Sequence, residues 1–332
     1  MSRQSNSNGG QNNNEVDELF EVKTYFYIGA YQQCLNEINK LRGGSNLKKD
    51  CFMYRAYIAQ HKYRVVLDGI TDNASTPNGL KGIRKVAEYF NSISSTDKRS
   101  AIVKYFDENR SFGTVEDDNA DEDTIYSSII WCLSAATVYY NEQLYENALS
   151  VVHTAIQTSP DLECFAVQLQ NHLKINRLDL ARGTLAKMQE KDDDATLTQL
   201  ATAWIHIEQG GEKLQDAYYI FQDFCDKFVP TSLLLNGQAV CFIAQEKYEE
   251  ADAALRNSLD KDPNNLDTFI NLIALAQHYN VSGKSSEDVI NRYLSQIKDL
   301  HPYCQLVVDL ERKEQEFQRL CVRYAPNNEL NA

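Results

Sequence analysis

Tyr145-Glu-Asn-Ala148, followed by Ala155 and Pro160, and Tyr248-Glu-Glu-Ala251, followed by Ser258 and Pro263, are two copies of one pattern. In each copy the proline stands twelve residues after the first alanine. Weaker copies are Tyr31-x-x-Cys34, Tyr63-x-x-Val66, Leu178-x-x-Ala181 and Leu214-x-x-Ala217. Successive anchors lie 32, 82, 33, 36 and 34 residues apart, so a period near 34 holds except across one gap, from about Ser92 to Thr124. Between the anchors apolar residues recur at helical spacing, and there are only six prolines and fourteen glycines in 332 residues. The chain reads as all-α.

A 34-residue unit with a bulky residue three before a small one, and a proline twelve after, is the tetratricopeptide signature. The small residue lets the second helix of a hairpin approach the first closely, and the aromatic or leucine fills the space beside it. The proline is expected to open the next helix, with Ser159 and Asp262 as N-caps. A lone hairpin leaves apolar surface exposed. Stacking neighbours completes the core, so the predicted architecture is one α-α superhelix, a solenoid, over residues 15–303.

The flanks and interruptions follow from composition. Residues 1–14 are Asn-, Ser-, Gln- and Gly-rich and are expected to be a disordered tail. The turn-forming run Thr71–Gly79 reads as a loop, and a second loop is expected near 111–124. Within it, Glu116–Asp123 carries six carboxylates in eight positions, a self-repelling solvated segment. A capping helix is predicted over 304–326, with Val307, Leu310, Phe317 and Leu320 along one side and the other face wet, before a short tail at 327–332.

Charge narrows the function classes. Against 47 acidic residues stand 33 basic ones, a formal net charge of -14, which disfavours nucleic acid or an anionic bilayer as partner. The N-terminal residues contain no apolar signal region and no later run is long and apolar enough to span a membrane, so the reading is neither secreted nor integral to a membrane. Eight cysteines lie at least sixteen residues apart without a C-x-x-C, which suits reduced, buried thiols of a cytosolic protein better than a disulfide framework or a zinc site.

Catalytic and metal chemistry finds little purchase. Asp117, Asn119 and Asp121 match the first ligand positions of a calcium loop, but Glu122 stands where its glycine belongs and Ser128 where its closing glutamate belongs. Asp260, Asp262 and Asn264 repeat the partial spacing, with Asn271 at the closing place, and read as a helix-end turn. None of the six histidines lies in a recognisable catalytic motif, and no phosphate-binding glycine loop is present. Gly210-Gly211 falls in the longest regular spacing and reads as a hairpin turn with a short insertion. No enzyme activity, cofactor or metal is expected.

In this architecture the first helix of each hairpin lines the inner surface. Registered on the proline-bearing copies, the inner positions are Ile130, Leu133 and Thr137 in one repeat and Leu233, Asn236, Val240 and Ile243 in another, with Leu197, Leu200 and Trp204 between them. Most are apolar. A groove that clamps a peptide terminus needs inward Lys, Arg and Asn to pair a carboxylate, whereas one kept filled by a folded partner can be as apolar as a domain core. The inner set favours a constitutive partner. The competing possibility is a register shifted by one, in which these residues stack between helices.

Longer runs carry a resemblance. Glu15–Lys23 leading into Phe26–Cys34, Tyr54–Gln60, Asn176–Arg182, Asp194–Trp204, Gly210–Phe221, Leu233–Ala239 and Asn291–Lys298 resemble the epsilon-subunit family of coatomer, the COPI vesicle coat, over most of residues 15–326. The resemblance is weakest in the Asn-rich head and around 92–124. It implies a non-enzymatic coat subunit whose repeats curl around a C-terminal region of the alpha subunit and stabilise it, with the remaining coat subunits reached through alpha. It further implies a cytoplasmic protein, peripheral on Golgi membranes and COPI vesicles, acting in intra-Golgi and Golgi-to-endoplasmic-reticulum retrograde transport, and touching membrane only through the coat. Two alternatives are a tetratricopeptide adaptor that docks peptide termini of chaperones or other partners, and a helical-hairpin enzyme subunit like the alpha chain of protein prenyltransferases.

Overall fold

The computed structural model describes residues 19–41, 46–115, 119–279 and 286–324. The head at 1–14, the centre of the acidic loop at 116–118 and the tail at 327–332 lie outside the described residues. Among those described there are seventeen α-helices, one 3₁₀ turn and no strand. Sixteen helices form eight consecutive hairpins. These are α1 (Phe20–Tyr27) with α2 (Tyr31–Lys40), α3 (Leu47–Ala59) with α4 (Tyr63–Gly69), α5 (Asn78–Asn91) with α6 (Thr96–Glu108), and α7 (Glu122–Asn141) with α8 (Tyr145–Thr158). They continue with α9 (Leu162–Lys174) and α10 (Leu178–Lys191), α11 (Thr196–Gln209) and α12 (Lys213–Lys227), α13 (Ser232–Ala244) and α14 (Tyr248–Lys261), and α15 (Leu266–His278) and α16 (Ser286–Leu300). Helix α17 (Gln305–Tyr324) follows. First helices stack on first helices, α1 on α3, α3 on α5, α5 on α7, α7 on α9, α9 on α11 and α13 on α15, which builds the superhelix.

The six anchors open second helices: Tyr31, Tyr63, Tyr145, Leu178 and Tyr248 are the first residues of α2, α4, α8, α10 and α14, and Leu214 is the second of α12. Three residues on, Cys34, Val66, Ala148, Ala181, Ala217 and Ala251 are all fully buried, as close approach to the partner helix requires. The turns before the anchors share one geometry. Gly29, His61, Gln143, Asn176 and Glu246 adopt φ between 58° and 81°. The next amide donates five residues back, from Ala30 to Tyr25, Lys62 to Tyr57, Leu144 to Tyr139, Arg177 to His172 and Lys247 to Phe242. Each turn is thus a Schellman stop closed by a left-handed residue. The sixth turn carries Gly210 and Gly211, both at positive φ, where the spacing is longest.

The prolines act differently from expectation. Asp161, not Ser159, caps α9, its Oδ1 accepting from the Glu163 amide at 2.8 Å, and Asn265, not Asp262, caps α15 by accepting from Thr268. Pro160 and Pro263 stand just beyond the ends of α8 and α14, so they stop the preceding helix rather than start the next.

The gap in the period contains one hairpin without the signature. Where the small residue belongs, α6 carries Arg99, and it packs instead through the buried Ile102 and Phe106. Polar ties hold it: Arg99 and Tyr89 both donate to Glu142, at 2.9 and 2.6 Å, and Tyr139 donates to Asp107 at 2.9 Å. The segment after α6 makes a 3₁₀ turn, Arg110–Gly113, over α7, with Phe112 edge-on to Trp131. Consequently α7 is buried from Ser127 to Ala136 on all sides.

Two long-range features complete the shape. After one turn of the superhelix the first hairpin lies across the N-terminal ends of α9, α11 and α13. Tyr27 reaches Glu163, Thr24 meets Thr196 at 3.4 Å, and Thr231 Oγ1 donates to the Ile28 carbonyl at 2.6 Å, contacts that span 136 to 203 residues. At the other end, α17 departs from the predicted cap. Val307 is its one fully buried residue, and Phe317 is 68% exposed with Leu320 and Tyr324 also in solvent. The helix forms because its local sequence favours it, but beyond its second turn no described element offers it a surface.

Candidate partner-binding face

Three cavities open along the hollow lined by the first helices. The first, about 220 Å³, is walled by Phe26 of α1, Arg55 of α3, Ile83 of α5 and Ile130, Leu133 and Thr137 of α7. The second, about 350 Å³, lies between Tyr140, Leu173, Trp204 and Ile207. The third, about 310 Å³, is walled by Trp204, Ile207, Phe221, Leu233, Asn236, Val240 and Ile270. The last two share Trp204 and Ile207 and so adjoin. A larger cavity of about 870 Å³ lies beside the acidic loop, at the starts of α5 and α7. Hydroxyl and carboxylate groups such as Thr76, Ser111, Asp121 and Ser127 line much of it, and none of the inner-face residues does.

The ten residues expected on the inner face divide by exposure. Leu233 is 40% exposed, and Trp204, Val240, Ile243 and Thr137 are half-buried. Leu233, Trp204 and Val240 come together around the third cavity. Ile130, Leu133, Leu197 and Leu200 are buried within the chain, Leu200 beside Ile28 and Phe221 and Leu197 beside Phe165 and Ala201. Ile243 packs at the edge of the cluster around Phe269 and Leu272. Asn236 is the hub of a buried network. Its amide nitrogen donates to Thr268 Oγ1 at 2.9 Å and to the Ser232 carbonyl at 2.8 Å, and its oxygen accepts from Asn271 at 3.0 Å, locking α13 to α15.

The hollow is fixed by a buried charge cluster. Arg55 Nη2 donates to Glu163 Oε2 at 2.7 Å, and Tyr27 donates its hydroxyl to Oε1 at 2.6 Å, tying α3 and α1 to α9. Burial alone would raise the Glu163 pKa, but the Arg55 charge and the two hydrogen bonds outweigh it and hold the carboxyl below its ordinary value. Burial, followed by the nearby Glu163 charge, pushes the Tyr27 hydroxyl well above its ordinary range. Arg55 also lies over the Phe26 and Phe52 rings, 4.7 and 5.4 Å from their centroids.

Sequence reasoning missed Phe26, Arg55 and Ile270 as walls of the hollow. Ile270 stands on the eighth hairpin, where extending the repeat register would have reached it. Phe26 and Arg55 had no such signal, since their place depends on the return of the first hairpin to α9. The thiols follow burial: Cys34, Cys51, Cys132, Cys164 and Cys241 are buried and unpaired, and burial raises Cys51, Cys132 and Cys241 to about 12. Cys321, expected among them, is exposed on α17.

Comparison with known proteins shows the family and the fold. The family model described as coatomer epsilon subunit matches residues 15–325. Coatomer subunit epsilon-1 of Arabidopsis thaliana is 36% identical over 311 residues, covering 93% of this chain and 98% of that protein. Coatomer subunit epsilon of Dictyostelium discoideum is 35% identical, covering 86% and 91%, and that of Caenorhabditis elegans 32%, covering 92% and 98%. Among solved structures, a chain of the APC/C hetero-tetramer Cut9-Hcn1 superposes with a TM-score of 0.57 at 15% identity, over 89% of this chain and 55% of that one. That likeness speaks to the helical-repeat fold alone.

Proposed function

The chain belongs to the coatomer epsilon subunit family, and from that membership we propose that its hollow holds a C-terminal region of the coatomer alpha subunit as a standing occupant. As a COPI coat subunit it is a structural component that associates with other coatomer subunits, and it is not an enzyme. The proposal extends to stabilising alpha, and to work in intra-Golgi and Golgi-to-endoplasmic-reticulum transport from the cytosolic face of Golgi membranes and COPI vesicles. Membrane contact would come only through the coat. No helix among the described residues is long and apolar enough to cross a membrane.

The observation that carries the reading is the half-exposed apolar set Trp204, Leu233, Val240 and Ile270 around adjoining cavities on the inner surface. An apolar concavity of this kind loses free energy in water and gains it by taking a partner's apolar surface, roughly 25 cal/mol per Å² buried. The test is Leu233→Asp and Val240→Asp, each co-expressed with the alpha subunit. Both variants should keep the wild-type far-UV helical signal and fail to retain alpha. Retention of alpha by both variants, or loss of helicity, would exclude these side chains as the docking face.

A further inference from the structure

The cavity between α1, α3, α5, α7 and α9 differs from the other two in its polar groups. Its walls include two hydroxyls, and both are committed to their own helix. Ser134 Oγ donates to the Ile130 carbonyl and Thr137 Oγ1 to the Leu133 carbonyl, each at 2.8 Å. With both protons spent, those residues offer an occupant hydrocarbon and acceptor oxygens but no donor. The remaining polar wall is Arg55. Its Nη2 is spent on Glu163, while its Nη1 is buried with no hydrogen-bond partner among the described residues.

A buried guanidinium N–H without an acceptor costs free energy that an incoming oxygen recovers. The charge of Arg55 is already balanced by Glu163 at 2.7 Å, so the acceptor that Nη1 lacks need carry no charge of its own, and a neutral oxygen adds none to a cluster that already holds Asp161, Lys23 and Lys191.

We propose that this cavity is the specificity pocket of the inner face: it takes one apolar side chain of the partner, and Arg55 Nη1 donates to a backbone carbonyl next to that side chain. The volume, about 220 Å³, suits one such side chain rather than a whole secondary-structure element. The pocket lies two hairpins away from the Leu233 surface, so it fixes the depth and register of an occupant that the wider cavities hold by area. This rests on the reading that a partner element fills the hollow.

The experiment is co-purification and titration of the full chain with the coatomer alpha subunit, for the wild type and four variants. Ala59→Phe and Val167→Phe fill the cavity from half-buried wall positions, and Ala186→Phe adds the same bulk on the exposed side of α10. Arg55→Lys keeps the charge facing Glu163 and replaces the two-nitrogen fork with one nitrogen, so nothing stands at the Nη1 position. Filling should weaken association at least tenfold at unchanged melting temperature, Ala186→Phe should not, and Arg55→Lys should weaken it about tenfold, as loss of one charge-assisted hydrogen bond does. The Arg55 effect should be the same at low and high salt. An effect that disappears at high salt would mean a carboxylate acceptor and overturn the carbonyl assignment. If the wild type binds and both filled variants bind equally well, the pocket proposal fails while the docking reading stands. If the wild type itself does not bind, the docking reading fails.

Discussion

At four hairpin turns a side chain sits where the backbone favours glycine: His61, Gln143, Asn176 and Glu246 all have φ near 60°. A non-glycine residue in this left-handed region costs about 1 kcal/mol, less for asparagine, whose short side chain tolerates it. Gln143→Gly and Glu246→Gly should therefore raise stability by about 0.5–1 kcal/mol each, and Asn176→Gly by less, measured by urea unfolding. The reverse sensitivity lies at Gly237, where a Cβ would stand 2.6 Å from the Phe221 ring that walls the third cavity. Charge at the residue scale is concentrated in Glu163. Its folded pKa lies below the unfolded one, so its stabilisation is fully present above the ordinary glutamate value and is lost as pH falls through the folded value. Glu163→Gln should thus destabilise by about 3 kcal/mol near neutrality, with the difference from wild type shrinking in acid, followed by thermal melts across pH. Asp161 is raised by burial and by Glu163; the burial part is common to both proteins and cancels in that comparison, whereas the Glu163 part is relieved in the variant.

Among the elements, the last helix makes the sharpest prediction. Residues 311–324 are exposed in α17. Truncation after Leu310 should leave the unfolding free energy within about 0.5 kcal/mol of wild type, because deletion removes no buried contact. A large loss in urea would mean that this helix packs in solution. The elements also show what could be read from local sequence. Second helices announce themselves through Tyr145 and Ala148 or Tyr248 and Ala251, because close packing within one hairpin is settled by residues three apart. Helix α6 stayed hidden because its packing uses Ile102, Phe106 and polar ties to Glu142 and Asp107 in place of a small residue. The roles of Pro160 and Pro263 were misplaced by one helix end, since proline suits both the first turn of a helix and the residue after its stop.

On the scale of the whole molecule, the hairpins do not form an open row. Glu163 joins Tyr27 and Arg55, and Thr231 joins Ile28, so the first hairpin couples directly to the fifth and seventh. A row with nearest-neighbour contacts alone frays from its ends, whereas this closure makes the first hairpin part of the common core. Nothing local to Phe26 or Arg55 signals that return, which is why the inner face was legible only in part. Leu233, Val240 and Trp204 were reached by repeat register, but the same register also selected Ile130, buried by the packing around α7, and Leu200, buried beside Ile28 of the returning first hairpin. On the function proposed above, the apolar hollow is permanently occupied. The most direct test is the native mass of the tagged chain purified from cells in 1 M salt. A hollow so filled should yield a persistent one-to-one complex with the coatomer alpha subunit, since apolar contacts survive where ion pairs are screened. Recovery of a stable free monomer with no alpha bound would contradict it.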